Sequence, residues 1–173
     1  MTVTIARVAS LLFSGLFTGF LVTVLVLEST LRGVDASVYT QVRQIELDRL
    51  DGLASATLIP ALIATAVLVA SAARNRRRVR WPVLAFVLLL SVVATTLVFN
   101  IPINTDQLTW SVQAPPADWA AVRDRWQLAH AVRTAAAVLA FGCLIAAFRT
   151  PQAATGLPSE QLRGDTGSVS ASR

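Results

Sequence analysis

The residues that could do chemistry in this chain sit in or beside long apolar runs, where a polar side chain is costly unless something satisfies it. They are Glu28 at the end of the first run, Asn100 and Asn104 at the end of the third, and His130 and Arg133 in the first half of the fourth. A carboxylate, two amides, an imidazole and a guanidinium can pass a proton, hold an anion, or simply satisfy one another. They do not suit a metal. The chain has a single His, and its single Cys, Cys143, falls about 20 Å away along a helix at 1.5 Å per residue, so neither zinc-type spacing nor a paired-His haem site exists within one chain. No metal site is expected.

Spacing assigns these residues to faces. Thr96, Asn100 and Asn104 follow i, i+4, i+8 and share one side of a helix, with Pro102 loosening its last turn. Trp126, His130, Arg133 and Ala137 follow i, i+4, i+7, i+11 and form one stripe. Each residue has a bland reading beside the functional one. Glu28 is either solvated where its helix leaves the membrane or turned inward to pair with Arg133 or His130. Arg133 either snorkels to the headgroups or pairs with Glu28. His130 is either a core histidine donating to Asn100 or Asn104, or a working group. Trp110, Trp119 and Trp126 either form an interfacial belt or wall a pocket.

The elements that must position these groups are apolar. The 173 residues are 54% hydrophobic, gathered in four blocks: Val8–Leu27, Leu53–Ala73, Pro82–Ile103 and Trp126–Phe148. Each has roughly 20 residues, enough to cross about 30 Å of hydrocarbon. The fold expected is all-α: an integral membrane antiparallel four-helix bundle over residues 1–150, with residues 151–173 as a disordered cytoplasmic tail. The Thr30–Gly52 connection reads as a short amphipathic helix between spans 1 and 2, with Val38, Val42, Ile45 and Arg49 on one face. A solvated connector is the alternative there. Gly15 and Gly19, flanked by Ser14 and Thr18, offer a small-residue face for close helix approach. Pro60 sits inside the second run, where neighbours can satisfy the carbonyl it frees. Pro115-Pro116 breaks the last connection, and Asp118 follows as the expected N-cap of the fourth helix.

The net charge of +5 is concentrated rather than spread. Arg74, Arg76, Arg77, Arg78 and Arg80 crowd the loop between the second and third runs, which marks a cytoplasmic loop and not a nucleic-acid surface. Both termini are then cytoplasmic, in a multi-pass protein of the cell membrane. Glu28, Asn100, Asn104, His130 and Arg133 all fall at the outer end. A signal peptide does not fit the first run, which is too long for a typical apolar core and has no convincing cleavage site after Leu27. Transport fits poorly too, because no repeat appears and the polar groups occupy one end only.

Asn-x-Pro-x-Asn at the end of the third span, Trp-x3-His-x2-Arg in the fourth, and four spans in all resemble the DUF1772 family, small membrane proteins that include the anthrone oxygenases. The matching residues are Asn100, Pro102, Asn104, Trp110, Trp126, His130 and Arg133. The resemblance implies a cofactor-independent oxygenase that turns an activated methylene of an aromatic polyketide into a ketone with O2. It further implies roles. His130 takes the proton, Arg133 and an Asn amide stabilise the enolate, and Glu28 orients the pair. Asn100, Asn104, Trp110, Trp126 and the Gly15/Gly19 face then receive a flat substrate. Partners would be membrane lipids, a small aromatic substrate and O2, with homo-oligomerisation left open and nucleic acid excluded. The residues alone leave a second reading: a non-catalytic bundle that binds a lipid, a quinone or a partner subunit.

Overall fold

The computed structural model describes residues 2–75 and 79–149. The expected tail, residues 151–173, lies outside them, as do Arg76, Arg77 and Arg78 of the basic loop. Four helices follow the four apolar runs, each long and apolar enough to cross a membrane: Thr2–Gly33, Ala36–Arg74, Arg80–Leu108 and Trp119–Arg149. The protein is an all-helical, multi-pass membrane bundle. Below, α1 is Thr2–Thr30, α2 Ala36–Arg74, α3 Arg80–Thr95, α4 Ile101–Leu108 and α5 Trp119–Arg149. α1 packs against α2 and α5, and α3 packs against the same two, so the helices stand in a four-membered ring.

The part of the ring expected to face inward is packed from apolar side chains. Ala6, Ala61, Leu68, Ala85, Leu89, Ala140, Cys143 and Leu144 form one buried cluster, and Phe17, Leu21, Val92 and Ala137 a second. Small residues bring the helices close, as membrane packing requires. Gly15 is one of them, since a Cβ there would stand 3.3 Å from the Phe141 ring. The Gly15/Gly19 face divides at this point: Gly15 meets α5, while Gly19 faces open space. Leu12, Ile63, Val87 and Leu139 point outward and expose half or more of their surface, as lipid-facing positions do.

The connection between the first two spans differs from expectation. A short 3-10 turn, Leu31–Gly33, ends α1, and Asp35 then caps α2 by accepting from the backbone N–H groups of Ser37 and Val38. The Val38 N–H bond and the Ser37 hydroxyl hold the Asp35 carboxyl below its usual range, so the cap is complete at neutral pH and weakens only as pH falls through that lowered value. From there α2 runs for 39 residues without a break. The amphipathic segment is the first part of this helix and not an element of its own, because neither Gly52 nor Pro60 outweighs the packing on both sides. Its buried face is also different. Tyr39, Arg43, Glu46 and Leu47 turn inward, while Val38 and Ile45 are 42% and 58% exposed. Ion pairs and amide bonds available on the inner side decide the rotation.

The third span changes pitch. Between α3 and α4, Thr96–Asn100 form a π turn, in which Ile101 N–H donates to the Thr96 carbonyl five residues back. Pro102 lacks the N–H that would continue the ladder, and the extra residue absorbs the mismatch.

Candidate functional site

The end of the bundle that the sequence leads one to expect on the outer side is built around Arg43, a residue the sequence did not single out. Its Nε donates to Gln107 Oε1 at 3.2 Å, and one terminal nitrogen donates to both Glu28 Oε1 at 3.0 Å and Glu46 Oε2 at 2.7 Å. The other donates to Asn104 Oδ1 at 3.2 Å, and the guanidinium lies 4.0 Å from the centre of the Trp126 ring. Glu28 is fully buried and its partner is Arg43, not Arg133 or His130. Antiparallel neighbours joined by a short turn bring positions 28 and 43 to one height, whereas helix four meets Glu28 through Gln127. That amide donates to the Glu28 carboxylate at 3.1 Å and to its carbonyl at 2.8 Å, satisfying an end-of-helix acceptor. Gln107 also donates to the Tyr39 hydroxyl at 3.3 Å, completing a network across α1, α2, α4 and α5.

His130 and Arg133 form a separate unit one layer deeper. Arg133 donates Nε and a terminal nitrogen to His130 Nδ1, at 3.0 and 2.8 Å, and its other nitrogen to Thr96 Oγ1 at 3.3 Å. A guanidinium only donates, so Nδ1 carries the lone pair and the ring proton is on Nε2, 3.0 Å from the Leu21 carbonyl. His130 is thus a neutral imidazole with both nitrogens engaged. It bonds Leu21 and Arg133, where the sequence suggested Asn100 or Asn104. It stacks on Trp126 with centroids 4.8 Å apart and planes 7° from parallel. Arg133 does not snorkel, and no described carboxylate lies within ion-pair distance of it, the described pairs all falling on other residues.

Between the two units lies a cavity of about 140 Å³. Its walls include Phe20, Arg43, Glu46, Asn104, Trp126 and Arg133, and its exposed lining residues are Asp51 and Ser55 of α2 and Ile101 of α4. The mouth therefore opens sideways, between α2 and α4. Of the residues chosen from sequence, Asn104, Trp126 and Arg133 line this space. Asn104 accepts from Trp126 Nε1 at 2.7 Å as well as from Arg43, which leaves its NH2 without a described partner. His130 and Glu28 stand behind the wall, each bonded to an arginine in it.

The other two do not line it. Trp110 is buried with Leu31, Tyr39 and Val122, and its ring N–H donates to Asp106 at 3.1 Å. It anchors the loop after α4, where Gln44 also bonds the Trp110 carbonyl at 2.8 Å. Asn100 is fully buried, and neither polar atom of its amide has a described partner. The expected Thr96–Asn100–Asn104 face is split by the π turn: the outer two reach the cavity and the middle one does not. Trp119, half-buried, meets Tyr39 at 5.5 Å with the ring planes tilted by 39°, and Trp110 and Trp126 are buried, so all three pack against the bundle.

Arg43, Glu46, Gln107 and Gln127 escaped the sequence reading. Extending the third-span series from 100 and 104 to 107 would have found Gln107, and the i, i+4, i+7 set Tyr39, Arg43, Glu46 was the available signal in α2. No cluster of three or more His, Cys, Asp or Glu suited to a metal occurs among the described residues.

No curated protein and no solved structure matches the chain. The family model described as anthrone oxygenase matches residues 52–143, more than half of it, and includes Asn100, Asn104, Trp110, Trp126, His130 and Arg133. Glu28, Arg43 and Glu46 precede the matched segment. The chain belongs to the anthrone oxygenase family.

Proposed function

We propose that this member of the anthrone oxygenase family oxidises an activated methylene of an anthrone-like aromatic to a ketone, with O2 as oxidant. The observation that carries this reading is Arg133: a guanidinium in a cavity wall, beside an indole face, paired with no carboxylate and held by neutral partners. Such a charge is poised for an anion that forms only during reaction. The Asn104 NH2 is a second donor on the same wall. Trp126 and Phe20 supply apolar surface for a ring system. The cavity is smaller than the ~300–1,000 Å³ of drug-sized ligand sites, so it suits the reacting edge of a tricyclic, with the remainder in the lateral mouth.

In outline, the methylene loses a proton to give an enolate, whose oxygen faces Arg133 and Asn104. The enolate carbon bonds O2, and protonation gives a hydroperoxide. Loss of the second carbon-bound hydrogen with the O–O bond expels water and leaves the ketone. In sum, one methylene and one O2 give one ketone and one water, four electrons passing from carbon to oxygen. His130 acts as a positioning residue here, because Nδ1 aims the Arg133 fork. Arg43 and Glu28 hold Asn104 and Trp126 in place. The Arg74–Arg80 loop supports cytoplasmic termini and an outward-facing site.

The test is O2-dependent formation of anthraquinone from anthrone by the protein in lipid nanodiscs, corrected for spontaneous oxidation. Arg133→Gln should lower kcat by about 10²-fold, the usual loss for one oxyanion donor. A wild-type rate no higher than the spontaneous one overturns the reading.

A further inference from the structure

The proposed reaction needs a proton acceptor, and the neutral imidazole that sequence suggests is fully engaged. From the cavity we infer that Glu46 is that acceptor, through Oε1. This rests on the oxygenase reading, but its own support is separate. Glu46 lines the cavity, yet its side chain is only 8% exposed. Its two oxygens differ. Oε2 accepts from Arg43 at 2.7 Å, whereas Oε1 is buried and accepts no hydrogen bond from any described group. A buried carboxylate oxygen with no donor is costly in a folded protein, and a functional role accounts for its being kept.

The surroundings suit reversible proton transfer. Glu28 and Glu46 share one nitrogen of Arg43, so two carboxylates compete for one guanidinium, and the three groups carry one net negative charge that a single proton on either carboxylate would cancel. Asp51 and Arg133 are the other charged groups in the lining, one of each sign. As the carboxylate, Glu46 takes the first methylene proton on Oε1 and becomes the acid, while the electron pair moves into the enolate beside Arg133. Once O2 has bonded carbon, the acid gives that proton to the terminal peroxide oxygen. The restored carboxylate takes the second carbon-bound proton as hydroxide leaves, and returning it to hydroxide makes water. One group serves every proton step and ends unchanged, with no co-reactant beyond O2.

Deprotonation can be read without oxygen, as exchange of deuterium into the reactive methylene of anthrone under argon. Wild type in nanodiscs should accelerate this exchange, and Glu46→Gln, which keeps an oxygen for Arg43, should slow it by about 10²-fold or more. Exchange by folded Glu46→Gln within about threefold of wild type overturns the assignment. If Glu46→Gln does not fold, Glu46→Asp carries the test, because its retracted carboxylate should still exchange at least about tenfold more slowly. Wild-type exchange from Glu46→Asp would then overturn it. Wild type that exchanges under argon but forms no anthraquinone in air removes the oxygenase reading, and slowed exchange by Glu46→Gln in that case still supports Glu46. Wild type that oxidises, with Glu46→Gln unimpaired, does the reverse. Wild type that does neither overturns both.

Discussion

The two ends of this bundle are held together by different forces. In the inner half, Ala6, Ala61, Leu68, Ala85, Leu89, Ala140 and Leu144 meet through close contact alone. Lipid tails are as apolar as these side chains, so their separation costs packing and little else. In the outer half, Arg43 alone engages four helices, directly or through Gln107, Glu28 and Asn104. Such bonds are strong when complete, and each depends on its partner. The inner half can exchange one apolar residue for another, whereas the outer half is specified atom by atom.

Four substitutions break or sharpen this contrast, in falling order. Arg43→Ala strands the buried Glu28 and Glu46 carboxylates and should cost about 3–5 kcal/mol in denaturant unfolding within micelles. A loss near that of an inner-half truncation would erase the distinction. Leu89→Ala, fully buried in the inner cluster, should cost about 1–2 kcal/mol, below the ~2–5 of soluble cores, because the transfer term vanishes in lipid. Activity per folded molecule should stay at the wild-type level. Trp126→Phe keeps an aromatic ring under Arg43, removes the 2.7 Å bond to Asn104 and reduces the stack on His130. Its cost should be about 1 kcal/mol by thermal melting, with a larger effect on the proposed turnover, since Asn104 is then held by Arg43 alone. Arg49→Gln removes an exposed ion pair with Asp48, where the side chains are 78% and 70% exposed. Unfolding should then move by less than about 0.5 kcal/mol, so height in the bundle alone does not confer importance.

The same contrast explains what could be read from the sequence. Hydropathy follows from composition, so the four spans and their all-helical bundle were legible. The Trp126–His130–Arg133 stripe was legible because α5 is regular over those turns. Pro102 announced trouble in the third span, but where the ladder takes its extra residue depends on packing, and so the separation of Asn100 from Asn104 was not visible. The Glu28–Arg43 pair was hidden by two nearly equal faces in the first turns of α2. Val38, Val42 and Ile45 offered an apolar stripe, and only the partners across the bundle turn Tyr39, Arg43 and Glu46 inward instead. Hydropathy ranks residues one at a time. It carries no information on the rotation of one helix against another, which is what picks an ion-pair partner.

The unbroken α2 has a consequence for how a ligand meets the site. At 1.5 Å per residue, its 39 residues extend about 58 Å, almost twice the thickness of the hydrocarbon layer. With Leu53–Ala73 inside that layer, Glu46 stands about 10 Å beyond its edge, and the side mouth at Asp51 and Ser55 straddles the boundary. An amphipathic aromatic, apolar in its rings and polar at its substituents, would favour that depth as Trp and Tyr side chains do. Occupancy of the cavity would then follow the mole fraction of such a compound in the bilayer, so that adding empty vesicles at constant total ligand would dilute it just as adding buffer dilutes a water-soluble one.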